Sequence, residues 1–180
     1  MKWERKHTLE ETVEWTGLPE SEMEPFKAYV NGKTPGICGT YAAAALTVLM
    51  AKREEVVTQT MDELLKGMEV SIEYAFPYRG TFYWDVQRGL NDEWKKYGYK
   101  TRFNLFSEKV TPSLLEDGVP VIVGTTAALG SPYKNHWVVV YQYAFDSNGK
   151  LWYKAYDNHG SITTIIPAVQ TLCAIWLEKL

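Results

Sequence analysis

Residues Thr34-Pro35-Gly36-Ile37-Cys38-Gly39-Thr40-Tyr41-Ala42-Ala43-Ala44-Ala45-Leu46 limit most strongly what this chain can become, because a glycine-broken loop runs directly into a strongly helix-forming segment. Pro35 and Gly36 sit badly inside a helix, whereas Ala42 to Ala45, Leu46, Leu49, Met50 and Ala51 favour one. The boundary is therefore marked from both sides, and Cys38 falls in the first turn. There the unpaired N–H groups and the positive end of the macrodipole favour a thiolate, which is a nucleophile. Four successive alanines let the helix approach its neighbours closely, as in a central buried helix. A free cysteine is also a common small core residue, so Cys38 by itself divides between the two readings.

The rest of the chain narrows the choice. At 180 residues with a formal charge of −3, it suits one domain with a sizeable core and carries no basic stripe, which argues against nucleic acid as a partner. The longest apolar stretch, 41–51, is too short to span a bilayer, and the first twenty residues lack an apolar signal core. A cytoplasmic location is expected on that basis, or a secreted one if a leader precedes the sequence. The two cysteines, Cys38 and Cys173, make no disulfide framework, and Cys173 among apolar neighbours reads as inert core.

Patterning predicts an α+β chain. Thr8-Leu9-Glu10-Glu11 and Thr60-Met61-Asp62-Glu63 are capping boxes, predicting helices that stop at Gly17 and Gly67. A helical piece is expected from Leu18-Pro19, interrupted near Pro25, and Asn31-Gly32 is a turn pair. Residues 68–76 alternate like a strand yet lie between helices. Phe82, Val86, Leu90 and Trp94 share one face of a helix closed by Gly98. From Tyr99 the period becomes two, and strands are expected over 99–105, 119–125, 136–141, 151–157 and 162–166, with a one-turn helix at 111–116. Residues 172–177 read as a last strand or a short helix. The expectation is a single domain over 1–180, mainly helical over 1–98 and mainly β-sheet over 99–180, with a cleft between the halves.

Nucleophilic cysteine chemistry needs an imidazole near the sulfur and a third group to fix its tautomer. Of the three histidines, His136 opens an apolar strand just after a glycine-proline loop, where a side chain can face a cleft. Asp157 ends the next strand, paired with the His136 strand through a hairpin, and is the candidate third group, although a turn role is common for such an aspartate. Alternation puts Asp157 on a face with Ala155, Tyr153 and Leu151, and Asn158 on one with Tyr156, Lys154 and Trp152. The first face is the more apolar, so Asp157 rather than Asn158 is expected to hold His136. His159 reads as a turn residue or an alternative base. A zinc site from Cys38, His136, Asp157 and His159 matches no usual ligand spacing, and neither a metal nor a cofactor is expected.

These residues carry a resemblance. Gly36-Ile37-Cys38-Gly39 opening a helix of small residues, Leu114-Leu115-Glu116-Asp117-Gly118-Val119-Pro120-Val121-Ile122-Val123, His136-Trp137-Val138-Val139-Val140 and Tyr156-Asp157-Asn158 resemble a papain-like cysteine peptidase. The nearest branch is the double-glycine leader peptidases of bacteriocin transporters and their free-standing relatives. The match spans roughly residues 30–178 and keeps the superfamily order of Cys, His and Asp/Asn. It implies a papain-like fold, a peptide or protein substrate, Cys38 as nucleophile, His136 as base and acid, and Asp157 as orienting group. Those families usually place a glutamine just before the cysteine to bind the oxyanion, and none occurs here. Asn31, seven residues upstream, is the nearest amide, with the Cys38 N–H as second donor. The expected activity is hydrolysis of peptide or amide bonds through an acyl-enzyme. The alternatives are a weak or inactive peptide-binding module, or an acyltransferase using the same triad. Tyr83, Trp84, Tyr133 and Trp137 are the aromatics expected near a peptide cleft, and the oligomeric state is left open.

Overall fold

The computed structural model describes residues 7–33 and 36–180. Thr34 and Pro35 of the loop before Cys38 lie outside them, as do the first six residues. Helix α1 (Cys38–Arg53) starts at the cysteine, as the glycine-to-alanine boundary predicts. Ala42, Ala43, Ala44, Ala45 and Leu46 have no exposed surface, which makes α1 a helix apolar on nearly every side and buried accordingly. Gly39 in its first turn is required by packing, since a Cβ there would sit 2.5 Å from the Thr81 methyl.

Around α1 lie α2 (Met61–Glu73) and α3 (Tyr83–Trp94). The Thr60/Glu63 capping box opens α2 as expected, but Gly67 does not close it. The helix runs through Gly67 to Glu73, so the alternating segment 68–76 is helical over most of its length. A glycine in mid-helix costs only about 1 kcal/mol, and burial of Leu64, Met68 and Ile72 along one face outweighs it. Gly98, at φ +75°, ends the turn that follows α3.

The second half supplies most of an antiparallel sheet. The strands of the sheet are β1 (Thr16–Gly17), β2 (Tyr99–Asn104), β3 (Val121–Thr125), β4 (His136–Phe145), β5 (Leu151–Tyr156), β6 (Thr164–Pro167) and β7 (Thr171–Lys179). They lie in the order β2-β7-β3-β4-β5-β6, with β1 also on β4. The carboxy-terminal segment is thus a strand between β2 and β3, and its apolar run is explained by burial in the middle of a sheet. A short helix, α4 (Thr111–Glu116), precedes β3. Helix α1 packs on β3 and β4, α3 packs on β2 and β7, and α2 packs on α1 and α3.

The Thr8 capping box forms no helix. That segment is extended and ends in β1, where Gly17 takes φ +136° and a Cβ would fall 2.2 Å from the Tyr141 carbonyl. Gly17 therefore permits close approach to a bulge in β4 between Val140 and Gln142, and is not a helix stop.

Candidate active site

Four segments converge at the amino-terminal end of α1. The strap before the helix is tied to the turn after β5: the Asn31 N–H donates to the Asn158 carbonyl at 2.8 Å, and the Tyr156 hydroxyl donates to the Tyr29 carbonyl at 2.6 Å. That turn is tied to β4 through the Asn158 amide, which donates to the Trp137 carbonyl at 3.0 Å. Antiparallel pairing of β4 with β5 makes this possible, since Val139 lies opposite Tyr156 and the chain then passes the start of β4. Cys38, Asn31, His136, Asp157, Asn158 and His159 are consequently brought together.

Cys38 stands in the first helical turn as expected, yet its sulfur is not poised as a thiolate. Part of the residue meets solvent, but its surroundings are dense, and burial pushes the thiol up to about 11. Main-chain bonds from Trp137, Gly39 and Cys38 itself pull the other way, while the nearby Glu73 carboxylate adds to the rise. The helix-end effect worked out from the sequence is present and is outweighed by desolvation.

Glu73 was not legible as a site residue, being hidden in the ambiguous 68–76 segment. At the end of α2 its carboxylate accepts from the Thr40 N–H at 3.3 Å and the Thr40 hydroxyl at 2.9 Å, and from the Thr81 hydroxyl. It thus satisfies an unpaired donor of the nucleophile helix and fastens the loop before α3 to it. Burial raises its own proton affinity, with the Thr81 and Thr40 bonds opposing. From the other side Trp137 spans to the same loop, its indole N–H donating to the Thr81 carbonyl at 2.8 Å.

His136 is buried and its Nε2 lies 2.6 Å from an Asp157 oxygen, but that oxygen is the main-chain carbonyl. A carbonyl only accepts, so Nε2 carries the proton and Nδ1 is left as the basic nitrogen. The Asp157 carboxylate is occupied elsewhere. It accepts from the His159 N–H at 2.8 Å, the Ser161 N–H at 3.0 Å and the Thr164 hydroxyl at 2.6 Å. The expectation that the Asp157 side chain holds the imidazole is corrected accordingly: the group at His136 Nε2 is the Asp157 main-chain carbonyl. The side chain does point inward, as the facing argument requires, but the chain turns immediately after β5, so the carboxylate closes its own turn and the carbonyl faces His136. Asn158, also fully buried, bonds Trp137 and leaves its Oδ1 without a hydrogen-bond partner. Burial drives His136 down to about 3, the Asp157 carbonyl opposing and the adjacent His159 reinforcing the shift.

Asn31 lies against the helix start, in a different role from the one expected. With its carboxamide oxygen toward the helix, it accepts from Ile37 N–H at 3.0 Å and Cys38 N–H at 3.2 Å. Turned over, that oxygen accepts only from Lys33 N–H at 3.3 Å, with the amide NH2 facing the two helix donors. The first orientation satisfies more groups. Asn31 then caps α1 and occupies the Cys38 N–H that was to share the oxyanion with it. Of the expected cleft aromatics, Tyr133 is core, Trp137 is half-buried at the site, Tyr83 is half-buried and Trp84 is exposed. Beyond Thr81 an exposed ring ladder continues, with Phe76 stacked on Tyr78 and Phe82 stacked on Trp84.

No helix among the described residues is long and apolar enough to cross a membrane. No family model matches the sequence, and neither does any curated protein. Among solved structures the chain is similar to the peptidase domain of Streptococcus ComA, a bi-functional ABC transporter involved in a quorum-sensing pathway. The TM-score is 0.44 at 19% identity, over 78% of this chain and 93% of that one.

Proposed function

We propose that the chain is a papain-like cysteine peptidase or related thiol hydrolase that cleaves peptide or amide bonds through an acyl-enzyme. The observation that carries this reading is the His136 hydrogen bond to the Asp157 carbonyl, which leaves Nδ1 basic at the end of the sheet where Trp137 meets the Cys38 sulfur. With the thiol high and the imidazole low, the resting pair is a neutral thiol and a neutral imidazole, so His136 acts as a general base. On attack the Cys38 sulfur bonds the substrate carbonyl carbon while its proton passes to His136 Nδ1. The imidazolium returns that proton to the leaving amine, the C–N bond breaks, and a thioester remains. His136 then takes a proton from water, which attacks the thioester and regenerates the thiol. Oxyanion binding by the Cys38 N–H requires the Asn31 carboxamide oxygen to give it up. An extended peptide suits the site, and the ring ladder beside Thr81 offers apolar surface for it.

A second reading, a slow or inactive peptide-binding module, is favoured by the Asn31 oxygen on the Cys38 N–H and by the high thiol pKa. One experiment separates the two. A peptide library is incubated with the chain and with Cys38→Ser, and acyl adducts and cleavage products are followed by mass spectrometry. Thiol-dependent cleavage with a transient acyl mass on Cys38 supports the peptidase. Binding without cleavage in either protein supports the module, and equal cleavage by both overturns the nucleophile assignment.

A further inference from the structure

The proposed mechanism uses one imidazole, yet the site contains two. His159 lies with its ring centroid 4.5 Å from that of His136, the planes tilted by 38°. The turn is built to put it there. Asn158 takes φ +49°, a left-handed conformation that asparagine tolerates well, and Gly160 takes φ +103°, so the chain doubles back at once after β5. The Asp157 carboxylate locks the doubled chain by accepting the His159 and Ser161 N–H groups. His136 is buried whereas His159 is half-buried, so protons from solvent meet His159 first.

From this geometry we infer that His159 is a positioning residue for charge, a companion imidazole that takes up a proton ahead of His136 and so keeps His136 a neutral base into acid. The inference rests on the Cys38–His136 reading for its role in turnover, though not for its physical basis. Among the described residues the ionisable groups around this pair are His136 on β4, Asp157 on the turn itself, Cys38 on α1 beside Trp137, and beyond Cys38 the Glu73 carboxylate at the end of α2. Burial lowers the proton affinity of His159, and the Asp157 carboxylate opposes that shift. Once His159 is cationic, a second cation on the neighbouring ring is opposed by like-charge repulsion. The two imidazoles therefore titrate as a coupled pair, the outer one first.

The test follows His136 through its ring resonances in the full chain, assigned by their loss in His136→Gln. In His159→Gln, the His136 midpoint is expected to rise by about one pH unit, as for removal of a like charge at this range. In His159→Lys, which restores a cation without the ring, the midpoint is expected to stay at or below that of the parent. A His136 midpoint unmoved in His159→Gln, or raised equally by Gln and Lys, overturns the inference and leaves His159 a packing residue. If the variants do not fold, the parent chain still decides: the His136 resonances are expected to shift at the His159 midpoint, and their indifference refutes the coupling. Where turnover is measurable, the acid limb of kcat/KM moves up with His159→Gln. Coupled titration without any turnover sinks the peptidase reading alone, and turnover with uncoupled titration sinks this inference alone.

Discussion

Replacing Asp157 by asparagine separates the side chain of that residue from its main chain. If the carbonyl holds the His136 proton at 2.6 Å, the carboxylate matters only for the shape of the turn. Asparagine at 157 keeps an oxygen for the His159 and Ser161 N–H groups and presents NH2 to the Thr164 hydroxyl, which can accept as well as donate. All three charge-assisted bonds become neutral ones of about half the strength, a net loss of about 1–2 kcal/mol once the relief of burying no charge is counted. For a domain of this size that is a fall in Tm of about 2–8 °C. The turn, the carbonyl and the His136 tautomer persist, so kcat/KM is expected to stay within about tenfold of the parent, well short of the ~10⁴ lost when a tautomer-setting carboxylate becomes an amide. Alanine at 157 instead orphans all three donors and is expected to cost at least ~3 kcal/mol, with the activity lost as the turn opens. Denaturant titration gives the stability, peptide cleavage gives the rate, and ¹⁵N shifts of the His136 ring report the tautomer directly. A folded Asp157→Asn protein with a rate down about four decades, or with the His136 proton moved to Nδ1, refutes the carbonyl as orienting group.

Three further outcomes are expected. Alkylation of Cys38 is slow at neutral pH and accelerates towards pH 11, and Glu73→Gln shifts the profile to lower pH by removing a nearby negative charge; fast labelling below neutral pH would contradict the buried, uncharged thiol. Because His136 is held at about 3 in the folded chain against 6.5 unpaired, the unfolded chain binds one more proton between those values. Stability therefore falls as pH drops through that window, by up to about 1.4 kcal/mol per pH unit from this group, and denaturation midpoints of His136→Gln should depend less steeply on pH. Asn31→Ala is expected to lose about 1 kcal/mol as a removed helix cap. Unchanged stability with a rate loss of about 10²–10³ would return Asn31 to the oxyanion site.

Local chemistry made much of this protein legible in its sequence. The Gly36-to-Ala42 change of composition places a helix start at Cys38, Thr60 and Glu63 open α2, and period-two patterning marks the strands, because each signal acts over a few residues of backbone. Pairing of β4 with β5 through the Asp146–Gly149 hairpin is also local, so the approach of Asp157 to His136 follows from residue pattern alone. Contacts between distant segments decided the rest. Gly17 looks like a helix stop until β4 lies against it, and Thr8 looks like a helix cap although the segment it would open ends as a strand beside Tyr143. Glu73 belongs to the site only because α2 ends beside Thr40 and Thr81. Which atom of Asp157 faces His136 depends on a turn whose hydrogen bonds reach Ser161 and Thr164, and residue type does not specify it. The protonation states were furthest from reach: a helix amino terminus by itself predicts a thiolate, whereas burial by α1's packed surroundings, a property of the whole fold, is large enough to reverse that tendency.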